Sequence, residues 1–483
     1  MRRITNIVSK YWPLLILFLI AVFLRFYRFS EFVMFLGDQG RDAIIVKRIL
    51  TLEHLPAIGA PTSVGMIYDG PFYYYFIAPW LLFFNNNPVG LAFGVAIFST
   101  IFIVINFFIV KELFNKKIAY ISTIFITFSY ALIDLSRFSW NPNLLPLFTL
   151  LTIYFVIKSI KTNWWIFYAL SGAFISFSIQ LHFLFLFLIP VIGILYLLPQ
   201  LKIAKQSISQ FRNILISILS FVIFSSPLII FDLRHQFLNT KNFIKLFTES
   251  VGSKGNFFSS FNLTFLNLNK FSFGFDINSV ISLLLLVLFI IGFIFLIPKK
   301  QTNLKIFYSL FLSFIFFFSF YNGSKHLHYY GLIYPIYFII IANILSDDAL
   351  KNFGKYLTPI FIIAFVFLNG INYSFLFIRG GNQVVLSQNV ALKISENIKK
   401  KKFTVTSLPE KYSDSTYRYF LEIWGKRAIE KDSLEKADEL FVVCEKACPL
   451  IMGNPQWDIA YFAPNKIVGK WIVEGVKIYK LVR

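Results

Sequence analysis

Phe35-Leu36-Gly37-Asp38-Gln39-Gly40-Arg41-Asp42-Ala43-Ile44-Ile45-Val46-Lys47-Arg48-Ile49-Leu50 is helical in pattern from Gly37 onward. Asp38 and Asp42 stand four apart and share one face, with Arg41 three residues after Asp38. Ala43, Val46 and Leu50 form an apolar stripe. A short helix that is charged on one face and apolar on another predicts a position in a membrane interface. Its surroundings decide the matter. Before it runs an apolar stretch, 11–26, behind the basic start Met1-Arg2-Arg3; after it comes another, 89–110. The first has no small-residue cleavage site, so it reads as an uncleaved anchor.

Working outward, a spanning helix needs about 20 apolar residues, and roughly eleven segments meet that criterion. Beyond the two already given they centre on 118–134, 144–157, 164–180, 183–199, 213–231, 278–297, 306–321, 329–346 and 356–377. Composition agrees. The 483 residues are 57% hydrophobic and only 14% charged, with a mean hydropathy of +0.68. A soluble fold of this size would be nearer a quarter charged. The excess apolar surface calls for lipid. The net charge of +22 therefore reads as membrane topology and headgroup contact, and nucleic acid is not an expected partner.

The positive-inside rule orients the chain. With a cytoplasmic N-terminus, the inner loops are 111–117, 158–161, 202–212, 299–305 and 347–355, short and mostly basic. This alternation needs a reversal near Ser176 to His182, where no strong turn signal stands. The outer segments are then 28–88, a short stretch 134–143, 232–277, the loop 321–330 and the region from Arg379 onward. The chain divides into a transmembrane part, 1–378, and an extracytoplasmic α/β part, 379–483. The latter is helix-like over 390–400 and 415–426, strand-like over 403–408 and 440–444, and hairpin-like over 470–482. Cys444 and Cys448 are open to two readings, a disulfide or two thiols.

The first outer segment holds a second apolar stretch, Gly70-Pro71-Phe72-Tyr73-Tyr74-Tyr75-Phe76-Ile77-Ala78-Pro79-Trp80, too short to span and rich in aromatics, as interfacial helices are. A carboxylate at the mouth of a bundle is costly unless it has a task. Asp38 has two readings. It is a general base taking a proton from an attacking hydroxyl, or it caps the helix N-terminus.

For a transferase the donor must come through the membrane. The inner loops are too short for a nucleotide-binding domain, and no glycine-rich phosphate loop precedes a helix. A lipid phosphate is the simplest carrier. Its leaving group needs cations, and the candidates are Arg41, Arg137, Arg234, His235, Lys325, His326 and His328. His326 and His328 lack a third ligand nearby in sequence, so no metal site or other cofactor is expected. A lipid-glycan flippase and a surface-glycan polymerase or ligase are the competing classes. The polymerase reading leans on 232–277 with Arg234 and His235 as a large working loop.

At this point the order of features resembles the GT-C superfamily of polytopic glycosyltransferases, within it the protein O-mannosyltransferase and aminoarabinose-transferase branch. The resemblance covers about the first 380 residues. The family's acidic motif, commonly Asp-Glu-Ala, matches Asp38-Gln39-Gly40-Arg41-Asp42-Ala43. Its Pro-Pro-Leu-Tyr-Tyr-like segment matches Gly70-Pro71-Phe72-Tyr73-Tyr74-Tyr75. Its Ser-Arg, followed by an Asp, matches Ser136-Arg137 with Asn141 or Asn143 in the later place. The resemblance implies a GT-C-like bundle, a polyprenyl-phosphate sugar donor, a hydroxyl acceptor on protein, lipid or glycan, inversion at the anomeric centre, and Asp38 as base. Gln39 and the later Asn depart from the pattern. Asp42 is a candidate for the missing carboxylate, with Tyr73 and Tyr74 beside the substrate.

Overall fold

The computed structural model describes all residues except 1, 63–65, 198–206, 249–255, 277, 281, 283, 285, 288–300, 322, 347–350, 410–413, 431–432 and 446–447. It is a helical bundle with a small sheet near the C-terminus. The chain opens with α1 (Arg2–Phe26), a short α2 (Phe29–Phe32), α3 (Gly37–Leu50) and α4 (Phe72–Phe83). Then come α5 (Val89–Leu113), α6 (Lys116–Phe128), α7 (Tyr130–Ser136), α8 (Leu145–Thr162) and α9 (Trp165–Leu181). The rest of the bundle is α10 (Ile189–Leu197), α11 (Ser207–Arg234), α12 (Leu238–Thr248), α13 (Phe257–Phe273), α14 (Thr302–Phe318), α15 (Tyr334–Ser346) and α16 (Lys351–Gly370).

Among the described residues, three helices are long and apolar enough to cross a membrane: 89–113, 141–162 and 208–234. A bent pair, α6 and α7, makes a fourth if taken as one span. The remaining apolar helices are shorter, so the count of eleven spans is not reached on length. The span expected over 278–297 lies largely outside the described residues.

The expected single span 118–134 is broken. Ser129 is extended, its hydroxyl accepts from the Leu132 N–H, and the chain bends by 58°. A serine that can cap a new helix offers the backbone an alternative to continuing the old one. The expected outer segment 232–277 is helical over much of its length. It contains α12 and α13, and α13 buries Phe265 and Leu268 while packing against α14 and α16. The segment behind the polymerase reading is therefore largely helical, and its bonds run to Tyr321, Lys325 and Tyr330 of the expected outer loop.

Contacts between helix ends give the bundle two distinct ends. At one, Lys111 donates to the Tyr11 hydroxyl, Lys117 to the Ser346 carbonyl, and Asn213 to the Asn163 carbonyl. We call this the foot. At the other, the head, Asn141 donates to the Leu181 carbonyl, Tyr419 to the Asn86 carbonyl, and Asn239 pairs with Tyr68. The chain climbs through α9 and breaks at an extended His182. It returns so that Tyr196 lies beside Ser159 and Ser171, and climbs again through α11. The reversal near His182 is thus present. Close helix contact supports it: a Cβ on Gly172 of α9 would lie 1.9 Å from the Ser217 carbonyl oxygen of α11. Small residues permit that approach where lipid supplies no hydrophobic drive.

The C-terminal region carries α17 (Ser374–Phe377), α18 (Gln383–Asn397), β1 (Phe403–Leu408), α19 (Ser415–Ile423), β2 (Glu439–Cys444), α20 (Trp457–Phe462), β3 (Lys466–Val473) and β4 (Val476–Val482). The sheet order is β1-β2-β4-β3; β1 and β2 are parallel, the other pairs antiparallel. Alternation along β2 divides two cores. Phe441 and Val443 join the main core with α18 and α19, while Leu440 and Val442 join Ile459 and Phe462 of α20. Cys444 and Cys448 form a disulfide, with Cα atoms 5.9 Å apart.

Candidate active site

The acidic helix α3 starts one residue before Asp38. Its N-cap is Leu36, and the Gln39 side chain accepts from the Leu36 N–H at 3.1 Å. Asp38 sits inside the first turn, so the capping reading of Asp38 is corrected: Gln39 does that work, and also donates to the Ser139 carbonyl at 3.3 Å. The carboxylate still gains from the helix N-terminus.

Arg41 bridges the two acids. It donates to Asp38 Oδ1 at 2.9 Å and, through Nε and Nη2, to Asp42 Oδ1 at 3.0 and 2.8 Å. The acids differ sharply in setting. The Asp38 side chain is 51% exposed and that of Asp42 only 1%. The Tyr74 hydroxyl donates to the same Asp42 Oδ1 at 3.0 Å, and Oδ2 is buried without a partner among the described residues. Burial pushes the Asp42 carboxyl upward, against the pull of Arg41 and the Tyr74 bond. The Tyr73 hydroxyl meets the Ser139 hydroxyl beneath.

A third carboxylate completes the group. Asp69 is buried, accepts from Asn141 Nδ2 at 2.8 Å through Oδ2, and has no partner for Oδ1 among the described residues. Burial raises it well above the carboxylate range, opposed by Asn141 and by Arg41 and reinforced by Asp42. Sequence reasoning passed over Asp69 because it ends a polar connection. The one signal was its place directly before Gly70-Pro71, at the start of the helix carrying Tyr73 and Tyr74. Asn141, expected near substrate, is in this cluster. Asn143 donates to the Phe138 carbonyl, has a buried Oδ1 without a partner among the described residues, and lines a small cavity with Ser99.

The candidate cations divide. His328 rests against Trp140 with ring centroids 4.4 Å apart, and His182 lies 6.3 Å from His328. Trp140 precedes Asn141, so this imidazole pair borders the Asp69 cluster. His326 is exposed beside His328. Arg234 and His235 are exposed at the head end of α11, and among the described residues no contact joins them to the acids.

Arg137 and Lys325, both expected as phosphate ligands, are bound to carbonyls at helix ends. Arg137 is buried and donates to the carbonyls of Leu24, Arg25 and Tyr27, closing the C-terminal end of α1, with its guanidinium 4.2 Å from the Phe375 ring centroid. Lys325 is buried and donates to Ser260 and to the carbonyls of Phe318 and Tyr321, closing the end of α14. Arg137→Ala strips three carbonyls of their donor and is expected to cost about 2–4 kcal/mol. Thermal unfolding in detergent reads that loss; an unchanged midpoint would contradict the assignment.

The imidazoles carry a pH signature. Burial pushes His182 down to about 4 and is the largest cause in pushing His328 down to about 3, with His182 and His326 adding to it. Their folded values lie below the ordinary 6.5, so the unfolded chain binds more protons in between, and the stability they contribute is lost as pH falls through that window. The raised carboxyls act in the opposite sense, so the imidazole share is read by difference. The gap in unfolding temperature between wild type and His182→Gln is expected to shrink or change sign from pH 7 to pH 4.5. A pH-independent gap would count against a neutral buried His182.

Residues 69–230 match the family model of dolichyl-phosphate-mannose-protein mannosyltransferases. The fold is similar to ArnT from Cupriavidus metallidurans, solved bound to undecaprenyl phosphate, with a TM-score of 0.64 at 11% identity over 98% of each chain. It is also similar to the oligosaccharyltransferase AglB from Archaeoglobus fulgidus, solved with an inhibitory peptide and a dolichol-phosphate, with a TM-score of 0.52 at 13% identity over 88% of this chain and 65% of that one. No curated protein matches by sequence. An apolar helical bundle, an acidic head and the match over residues 69–230 occur together in this chain. The fold is thus that of ArnT, a fold shared at 10% identity by the apo form of the same protein, with a TM-score of 0.60. Among the described residues no group of three His, Cys, Asp or Glu side chains is arranged to hold a metal ion.

Proposed function

We propose that this protein transfers a sugar from a polyprenyl-phosphate donor to an acceptor hydroxyl on the outer face of the cytoplasmic membrane, with inversion. The observation that carries this reading is the layout of the head. One carboxylate, Asp38, is open to solvent and held by Arg41, above two buried carboxyls, Asp42 and Asp69. A base must reach its proton, and Asp38 is the accessible one of the three. Asp38 takes the hydroxyl proton as that oxygen attacks the anomeric carbon. The bond from that carbon to the phosphate oxygen breaks, and polyprenyl phosphate leaves with the electron pair. Arg41, held between Asp38 and Asp42, is the cation nearest the acids, and the half-buried His328 serves as a neutral hydrogen-bonding group. Asp42 and Asp69 hold Arg41 and Asn141 in place. The lipid ligands of ArnT and AglB support a lipid-borne donor.

The region from about residue 379 onward is proposed to be extracytoplasmic, to take part in acceptor choice and to fix the head. Truncation at about Arg379 that left activity and acceptor choice unchanged would refute that role. The transfer itself is tested by supplying reconstituted protein with lipid-phosphate sugars and acceptor. Lipid moving between leaflets with no new glycosidic bond would favour a flippase instead.

A further inference from the structure

α9 ends at Leu181, before an extended His182, so its last carbonyls need partners from outside the helix. α4 starts at Phe72 behind Pro71, which gives it no side-chain cap, so its first amides are in the same position. The two ends meet at Gln180. Its backbone carbonyl accepts from the Gly70 N–H and its side-chain Oε1 from the Phe72 N–H, both at 3.3 Å. Its Nε2 donates to the Ser176 hydroxyl and to the Phe224 carbonyl of α11, both at 2.9 Å. An N–H on one side and a carbonyl on the other allow this buried amide one orientation. A Cβ on Gly70 would lie 2.1 Å from Gln180 Cγ, so only glycine lets the turn sit this close.

The turn held here carries the acid cluster. Asp69 directly precedes Gly70, and Asn141 joins the Asp69 carboxylate to the Leu181 carbonyl, the next acceptor along the end of α9, at 2.8 Å each. Phe72 is followed by Tyr73 and Tyr74, whose hydroxyls reach Ser139 and Asp42. Asp42 in turn holds Arg41, and Arg41 holds Asp38. Among the described residues no bond joins Gln180 to the acids themselves, so its action passes through the turn. We propose that Gln180 is a positioning residue for the transfer reaction. By seating the 69–72 turn on α9 and α11 it sets the place of Asp69 and Tyr74, and through Tyr74 that of the Arg41–Asp38 pair. The proposal rests on the transfer reading above.

Steady-state transfer by the reconstituted full chain tests it, with polyprenyl-phosphate sugars as donors. The variant is Gln180→Met, which keeps the volume and drops the side-chain bonds. The control is Ser171→Ala. Ser171 bonds Ser217 and so ties α9 to α11 nearer the foot, away from the turn. Gln180→Met is expected to lower kcat about 10- to 100-fold, the upper figure being the scale of a misplacement near 1 Å. KM for the donor should stay at its wild-type value, as befits a loss felt only in the transition state. Ser171→Ala is expected to keep wild-type kcat. Wild-type kcat in Gln180→Met overturns the proposal. So does an equal loss in Ser171→Ala, which would mean loosened helices and not a misplaced turn. If Gln180→Met fails to fold, Ser176→Ala replaces it. That variant removes one of the two anchors of Nε2 and should lower kcat about threefold; an unchanged kcat there overturns the proposal. Absence of transfer by the wild type would instead bring down the functional reading, and this inference with it.

Discussion

Asp38→Asn is expected to lower sugar transfer by about 10²–10⁴-fold, the usual contribution of a positioned base. The substitution keeps shape and leaves a hydrogen-bond acceptor for Arg41. Arg41 remains held by two bonds to Asp42. The side chain is half exposed, so folding should be little affected. A monodisperse variant with an unchanged unfolding temperature and no transfer is the expected result. The same variant with full activity would remove Asp38 from the chemistry. Asp42→Asn is expected to behave differently. It leaves Arg41 beside a neutral, buried amide, so it should lower stability and activity together.

The second large effect is expected at Gly40, one turn along the same helix. A Cβ there would lie 2.5 Å from Thr416 N, 2.6 Å from Ser415 C and 2.8 Å from Thr416 Cα. All three are backbone atoms of α19 or its approach and cannot rotate away. Alanine would otherwise favour an α-helix over glycine by about 1 kcal/mol. Overpacking costs about 1–3 kcal/mol or more, and rigid backbone puts this site at the upper end. Gly40→Val is therefore expected to separate α3 from α19. That separation would strain the Arg48 bonds to Glu422 at 2.9 and 2.7 Å and the ring contacts of Phe35 with Tyr419 and Phe420. Unfolding temperature and transfer rate should both fall, and Glu422→Gln should show a milder form of the same loss. Wild-type behaviour of Gly40→Val would mean that the C-terminal region does not position the acidic helix.

Much of this was legible in the sequence because it rests on period and spacing. The helical pattern after Gly37 gave α3 and put Asp38, Arg41 and Asp42 together, as the bonds of Arg41 bear out. Strand 403–408 matches β1 to the residue, and the 470–482 alternation is the β3–β4 hairpin. The apolar stripe of α3 was read one residue off: Ile49, not Leu50, is the buried member. That stripe meets α4 and α19, so protein covers a face that the pattern assigned to the membrane interface. Hydropathy does not distinguish lipid from a partner helix. Nor could it find the role of Arg137, because a buried arginine serving three carbonyls and a membrane-surface arginine awaiting phosphate share one letter. Asp69 was hidden for a related reason. Its partners Asn141 and Arg41 lie far off in sequence, and only the fold brings them together.

The most direct measurement is incubation of the reconstituted protein with a panel of polyprenyl-phosphate sugars and a hydroxyl acceptor, followed by mass spectrometry of the lipid products. The expected result is stoichiometric release of polyprenyl phosphate with a glycosylated acceptor of inverted anomeric configuration, absent in Asp38→Asn. Release of polyprenyl diphosphate, or retention of configuration, or intact donor from every member of the panel, would contradict it.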